Sequence, residues 1–484
     1  MADDSALVET LTLVNDIIWG PWVLIPLLLV SGVYLTVRLS GIQFHTLFHA
    51  LWLAYVRRSE SGGAGDISHF QALNTALAAT VGVGNIAGVA TGIQLGGPGA
   101  VFWMFVTGVL GMATKYSEAL LGVKYRRPDG KGEMSGGPMF YLRHGLGGRL
   151  GLVLGFLFAV FGAVAAFGIG NMSQANTVST QLRSVWDVPL WATGAVMVVL
   201  LGAVALGGIR SIGRFVSVVV PFMCIAFVIS NIVVLIVFVE AIPAAIATIV
   251  TDAFTGTAAA GGFVGSSVIL AIQYGFARGI FSNESGLGTG AIAAASARTD
   301  QPVRQALVSM TQTFIDTVVM LTLTGVMIVA SGVWRTDEAV ASGAAGEGAP
   351  ITAQAISAGY GQISPALAPF GGYLIAIGVC FFAFCTILGW SYYGERCMDY
   401  LAGRRAVVPY RVVFILVVFV GATLEATAVW RFSDIANGLM VLPNLIGVLL
   451  LSPVVVAETR RYFGNPGWRN PDAPAPSDWA RSTD

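Results

Sequence analysis

Residues 80–88 read TVGVGNIAG, and they interrupt an apolar stretch that runs from about 69 to 95. A second interruption, YGFARGIFSNESGLGTG at 274–290, breaks an apolar stretch from about 263 to 293. A helix in lipid must satisfy its own backbone. A glycine-rich, polar break persists there only where protein buries it or where it lines a cavity. Two such breaks, each opening a group of five apolar segments, imply an all-α, polytopic membrane protein with a ligand site near the midplane.

The composition around the breaks agrees. The chain has 484 residues, 55% hydrophobic and 11% charged, with mean hydropathy +0.76 and formal net charge of zero. Soluble domains carry roughly 25% charged residues, so the partner implied is a lipid bilayer and not a nucleic acid. The four Cys (224, 380, 385 and 397) lie in or beside apolar segments without metal spacing or a disulfide framework. The four His (45, 49, 69 and 144) fall near expected helix ends, where interfacial packing explains them. Asp3, Asp4 and Glu9 give an acidic start unlike a cleaved signal peptide, so the first apolar segment reads as a retained helix.

Windows of about 20 apolar residues predict 11 transmembrane helices, near 17–38, 69–95, 99–123, 150–181, 189–208, 213–240, 263–293, 306–331, 367–393, 409–430 and 434–457. Basic residues collect in alternate loops, with Arg57 and Arg58 in the first and the run from Lys124 to Arg149 in the next. Arg210, Arg214, Arg298, Arg304, Arg396, Arg404, Arg405, Arg460 and Arg461 continue the series. The positive-inside rule then places the N-terminus outside and the C-terminus in the cytoplasm of a cell-membrane protein. Setting aside the first segment leaves two groups of five, and an odd number inverts the second group relative to the first. The expected organisation is therefore an N-terminal extra helix and linker (1–68), a first repeat (69–240), a second repeat (241–457) and a disordered tail (458–484). A cytoplasmic loop at 124–149 with a short interfacial helix and an external Ala/Gly-rich loop at 335–366 complete it.

The first break suits small charged ligands. Gly82 and Gly84 allow close backbone approach. Amides opening the second half-helix suit a carboxylate, and carbonyls closing the first suit a dehydrated alkali cation. Thr80 and Asn85 flank the turn, and Asn74, Ala78, Val81 and Asn85 share a helical face. In the second break Arg278 and Glu284 are expected to face a partner, each other included, because charges are costly in lipid. Lys115 and Glu118, three apart, are expected to form a local ion pair. Asn171 and Gln174 share a face of the fourth segment, and Asp316 sits in the eighth.

Two motif matches carry nothing. GVGNIA fits a dinucleotide fingerprint but lacks the preceding strand, and GAGD at 63–66 lies in a polar loop. H-E-x-x-H, a P-loop and a Ser–His constellation are all absent. An intramembrane enzyme and an amino-acid channel are the alternative function classes.

Several strings together, TVGVGNIAGVATGI, GGPGAVFWMFVTGVLGMATKYSE, GGPMFYL, GNMSQAN, FSNESGLGTG and FCTILGWSYYGE, closely resemble the alanine or glycine:cation symporter family over nearly the whole chain. The resemblance implies a leucine-transporter-like 5+5 inverted repeat with one extra N-terminal helix. It implies sodium-coupled, less often proton-coupled, uptake of alanine and glycine, with sodium as coupling ion, no other cofactor and no enzymatic activity. By the matched positions, Thr80, Gly82, Gly84, Asn85, Gln174, Phe276 and Trp390 would bind substrate. Ala78, Val81, Cys385 and Thr386 would hold sodium. Cys385 departs from the pattern, because a thiol is a poor ligand for a hard cation.

Overall fold

The computed structural model describes residues 13–469 except Asp16, Pro21, 61–62, 256–267, 345–347 and Glu425. The start of the second broken stretch, the residues before 13 and the tail beyond 469 lie outside the described residues. Almost everything described is helix. α1 (Leu24–Arg38) precedes the broken pair α2 (His69–Thr80) and α3 (Gly84–Gly96). α4 (Gly99–Lys124), α5 (Gly148–Trp186), α6 (Leu190–Ala205) and α7 (Gly208–Val237) follow, with a π-turn at Gly168–Met172 inside α5. After α8 (Ile242–Thr255) come the second broken pair, α9 (Val268–Asn283) and α10 (Thr289–Ala295), and then α11 (Pro302–Ser331). The remaining described helices are α12 (Asp337–Ala344), α13 (Gly348–Ile363), α14 (Ala368–Ala402), α15 (Val407–Thr423), α16 (Ala426–Leu450) and α17 (Ser452–Phe463).

Among the described residues, six continuous helices are long and apolar enough to cross a membrane: α5, α7, α11, α14, α15 and α16. The pair α2–α3 qualifies as a further span bent by 47°. Local chemistry explains the first bend. Ser68 and Gln71 form a reciprocal capping box that starts α2. At the other end Val81 leaves the helical region, with φ −72° and ψ 88°.

Two helices organise the packing. α4 runs against α1, α8, α9, α10 and α11, and α14 runs against α2, α5, α7, α13 and α15. The broken helices lie between these two. The apolar side chains that remain exposed, such as Val196, Val199, Phe222, Ile225 and Phe381, face outward from this assembly, as a lipid-facing surface requires.

Two connections differ from expectation. Residues 337–363 are mostly helix rather than loop, because α13 has α14 and the first break to pack on. Thr352 Oγ1 donates to the Ile86 carbonyl at 2.7 Å, tying α13 to α3. The connection 124–149 holds a hairpin pairing Arg127–Pro128 with Met134–Ser135, then a helix at Pro138–Tyr141. Met139, Tyr141 and Leu142 are fully buried, so this helix packs into the protein rather than lying on its surface.

The arginine-rich end is closed by polar ties. Asp129 accepts from Arg396 at 3.0 Å and Arg404 at 2.9 Å, and Glu133 accepts from Arg404 at 2.8 Å, which docks the hairpin on the end of α14. The Arg126 guanidinium donates to the carbonyls of Ala295 (2.9 Å), Ala297 (2.6 Å), Ala64 (2.8 Å) and Thr299, joining the linker before α2 to the end of α10. Arg126→Ala is expected to lower the unfolding temperature of the detergent-purified protein by several degrees. Arg126→Lys should recover only part of that loss, because an ammonium lacks the planar fork that reaches several carbonyls at once. Equal melting of all three proteins would refute the assignment.

Candidate functional site

Thr386 and Trp390 lie one turn apart on α14, and the interrupted segments meet around them. Thr386 Oγ1 donates to the Ala78 carbonyl at 2.9 Å, near the end of α2. Gly82 faces the same hydroxyl so closely that a Cβ there would run into it, and that Cβ would stand 3.3 Å from Gln174 Oε1. Gln174 Nε2 donates to the Ile169 carbonyl at 2.9 Å, which turns its oxygen toward the first break. There the Val83 amide approaches that oxygen at a long 3.5 Å. A Cβ at Gly84 would meet Ser282 Cα at 3.1 Å, so α9 closes the other side.

The remaining expected residues divide. Val81 caps α2, its amide bonded to the Leu77 carbonyl at 2.7 Å, and Cys385 is fully buried beside Thr386. The Thr80 hydroxyl is directed to carbonyls of its own helix, Ala76 at 3.1 Å and Leu77 at 3.3 Å. Asn85 Nδ2 donates to the Asp316 carbonyl at 2.9 Å. The Asp316 carboxylate accepts from Ser282 at 2.9 Å and Thr317 at 2.7 Å. Phe276 is not brought to the cluster. It lies on the face of α9 turned toward α4, 6.1 Å from the Trp103 ring, in a cleft shared with Thr107, Leu110 and Leu28.

Trp390 is fully buried over Gly170 of the α5 π-turn, and its indole donates to Glu284 Oε1 at 2.7 Å. Glu284 opens the second break with φ +56°, and its other oxygen accepts from Thr289 at 2.6 Å. Both expected pairings in this region fail. Arg278 pairs instead with Asp434 at 2.8 Å, flanked by the Trp430 and Phe281 rings. Lys115 and Glu118 point to opposite ends of the second break. Glu118 Oε1 accepts from the amides of Gly286 (3.0 Å) and Gly288 (3.1 Å) and from Asn444 Nδ2 (2.6 Å), while Lys115 Nζ donates to the Glu284 carbonyl at 3.1 Å. Sequence spacing concealed these roles, since a local pair at i,i+3 was the simpler reading.

The arrangement therefore offers two unwound turns, one dressed by buried ionic side chains and one lined by glycine, a hydroxyl and an amide oxygen. The described residues hold no group of His, Cys, Asp and Glu that could bind a metal ion tightly.

Known proteins are similar to this chain in sequence and in fold. The profile of the sodium:alanine symporter family matches residues 4–469. The sodium/alanine symporter AgcS of Methanococcus maripaludis is 49% identical over 461 residues, 95% of this chain and 97% of the relative. The amino-acid carrier protein AlsT of Bacillus subtilis is 32% identical, covering 93% and 90%. The crystal structure of MhsT in complex with L-phenylalanine superimposes with a TM-score of 0.57 at 14% identity, covering 87% of this chain and 96% of that one, so the fold is leucine-transporter-like. These relatives are transporters and not enzymes, and the apolar helices make this a multi-pass membrane protein. The chain belongs to the sodium:alanine symporter family, a family of cation-coupled amino-acid symporters.

Proposed function

We propose that this protein couples sodium entry to the uptake of small neutral amino acids, alanine and glycine among them, by alternating access at the first break. Eleven spans in a 5+5 inverted repeat, with one extra N-terminal helix, carry the site. The basic loops face the cytoplasm, with the N-terminus outside and the C-terminus inside. The carboxylate of the substrate binds the amides around Gly82 to Gly84, with Thr80, Asn85, Gln174 and Trp390 around it. Sodium binds the carbonyls of Ala78 and Val81 together with Thr386.

One observation carries this reading. The amides of the second break are already occupied by a carboxylate of the protein itself, that of Glu118. Among the described residues no carboxylate bonds the corresponding amides of the first break: that of Val83 has the long contact to Gln174, and that of Asn85 bonds the Gly82 carbonyl at 3.3 Å. An unwound turn opening a half-helix favours an anion, and the first is left for one from solution. Beside it, the Thr386 hydroxyl and the Ala78 carbonyl stand 2.9 Å apart, two oxygens that suit a hard cation. Proteoliposomes should take up labelled alanine saturably under an inward sodium gradient. Equal uptake without sodium would overturn the coupling, and flux that never saturates would favour a channel.

Two mutational outcomes follow from the geometry. Thr386→Ala should raise the sodium concentration for half-maximal uptake about tenfold or more, the scale of losing a bond to a charged group. Cys385→Ser should leave that midpoint unchanged or lower it, since it adds an oxygen. An unshifted midpoint in Thr386→Ala would move the cation elsewhere.

Trp390 and Phe276 should separate in a competition panel of amino acids. Trp390→Ala should weaken alanine uptake and admit larger side chains. Phe276→Ala should lower thermal stability without changing selectivity, because its ring packs on Trp103 away from the turn. Altered selectivity in Phe276→Ala alone would reverse this assignment.

A further inference from the structure

The second break carries two buried charges that the transport reading does not use as ligands, and both come from one face of α4. Glu118 meets the amides where α10 begins. Lys115, one turn earlier and fully buried, meets the carbonyl of Glu284, just past the end of α9. The carboxyl end of a half-helix presents unpaired carbonyls and the negative end of its dipole. The amino end presents amides and the positive end. The signs on α4 match both: an ammonium at the carbonyls and a carboxylate at the amides.

Lys115 is held as an ion in an oxygen site is held, and not as one half of an ion pair. Among the described residues no carboxylate forms a salt bridge with it, although Glu118, Glu284 and Asp316 all lie close enough to act on its charge. Its partner is a main-chain carbonyl. Its stem lies against Gly290, where a Cβ would stand 3.1 Å from Cδ and 3.0 Å from Nζ. Gln312 Oε1 faces the same space, 3.4 Å from that position, and has no hydrogen-bond partner among the described residues. An ammonium has three protons to donate, and a buried amide oxygen without a donor is costly. The side chains therefore frame a compact cation position at the end of α9.

We propose that Lys115 is a tethered cation, filling at the second break the kind of site that a diffusible cation fills at the first. The comparison rests on the sodium reading given above. Each unwound turn then receives one cation at its carbonyl end and one carboxylate at its amide end. In the second turn both are side chains of α4, and in the first both arrive from solution. Lys115 is thus a positioning residue: it fixes the Glu284 carbonyl, and with it the turn whose carboxylate holds Trp390. It also leaves no place for a second diffusible cation at that turn.

Chemical rescue tests this. Truncation to alanine removes Cγ, Cδ, Cε and Nζ, the atoms of n-propylammonium. Lys115→Met, which fills the space without charge, should reduce alanine uptake by roughly 10-fold to 100-fold, the worth of a hydrogen bond to a charged group. Lys115→Ala should fall as far, and n-propylammonium should restore both its uptake and its melting temperature in a saturable way. The amine should do nothing for Lys115→Met or for the unaltered protein. Wild-type uptake by Lys115→Met would overturn the proposal. So would a Lys115→Ala protein that n-propylammonium restores in neither uptake nor melting temperature, whether it starts folded or not. The sodium midpoint of Thr386→Ala, measured in parallel, separates the two readings. Rescue of Lys115→Ala with an unshifted Thr386→Ala midpoint supports the tethered cation and overturns only the sodium site.

Discussion

A peptide group unwound in the middle of a bilayer has no water to turn to, and the organisation of this protein answers that constraint. An unmet buried amide or carbonyl costs on the order of a few kcal/mol. Residues 284–288 meet it with Glu118, Asn444 and Lys115, drawn from α4 and α16. Asn444 works on both sides, donating to Glu118 and to the Gly286 carbonyl at 2.7 Å. The first turn meets it differently, through Thr386 on the Ala78 carbonyl and Gln174 near the Val83 amide. These bonds are fewer, and the one at Val83 is long at 3.5 Å, so in the proposed reading they are the ones that yield to a ligand.

α14 links this chemistry to the scaffold. It carries Thr386 and Trp390, and it packs on α2, α5, α7 and α13. At its far end Arg396 receives the hairpin that follows α4, through Asp129. A shift of α14 relative to the broken helices would change the carbonyl–hydroxyl contact at Ala78 and the indole–carboxylate contact at Glu284 together. Coupling between a cation and a substrate needs such a shared element, whose position both ligands bias.

Much of this was legible in the sequence, for reasons that differ by residue. The breaks stand out because glycine and polar residues are costly in lipid, so Gly82, Gly84 and Asn85 mark the first turn without any structure. Thr386 and Trp390 came from family resemblance, since no local signal joins residue 386 to residue 78. Phe276, expected at the pocket, packs on Trp103: it precedes Ser282 by six residues, which puts it about 120° around α9 from the face that meets Gly84. Lys115 and Glu118 were misread because their partners lie 169 and 168 residues away, beyond any periodicity. The segment 335–366 looked like a loop because it is rich in Ala and Gly. Alanine is also a strong helix former, and tertiary contact with Ile86 settled the matter.

The bond from Thr386 to the Ala78 carbonyl spans 308 residues. At translation rates of about 5–20 residues per second, that separation corresponds to about 15–60 s. During this interval the first broken helix is already in or near the membrane, while the helix that completes it does not yet exist. The first broken helix must therefore enter the bilayer as its least self-sufficient part. Assembly has to shelter it, in the insertion machinery or against its early neighbours, until α14 emerges.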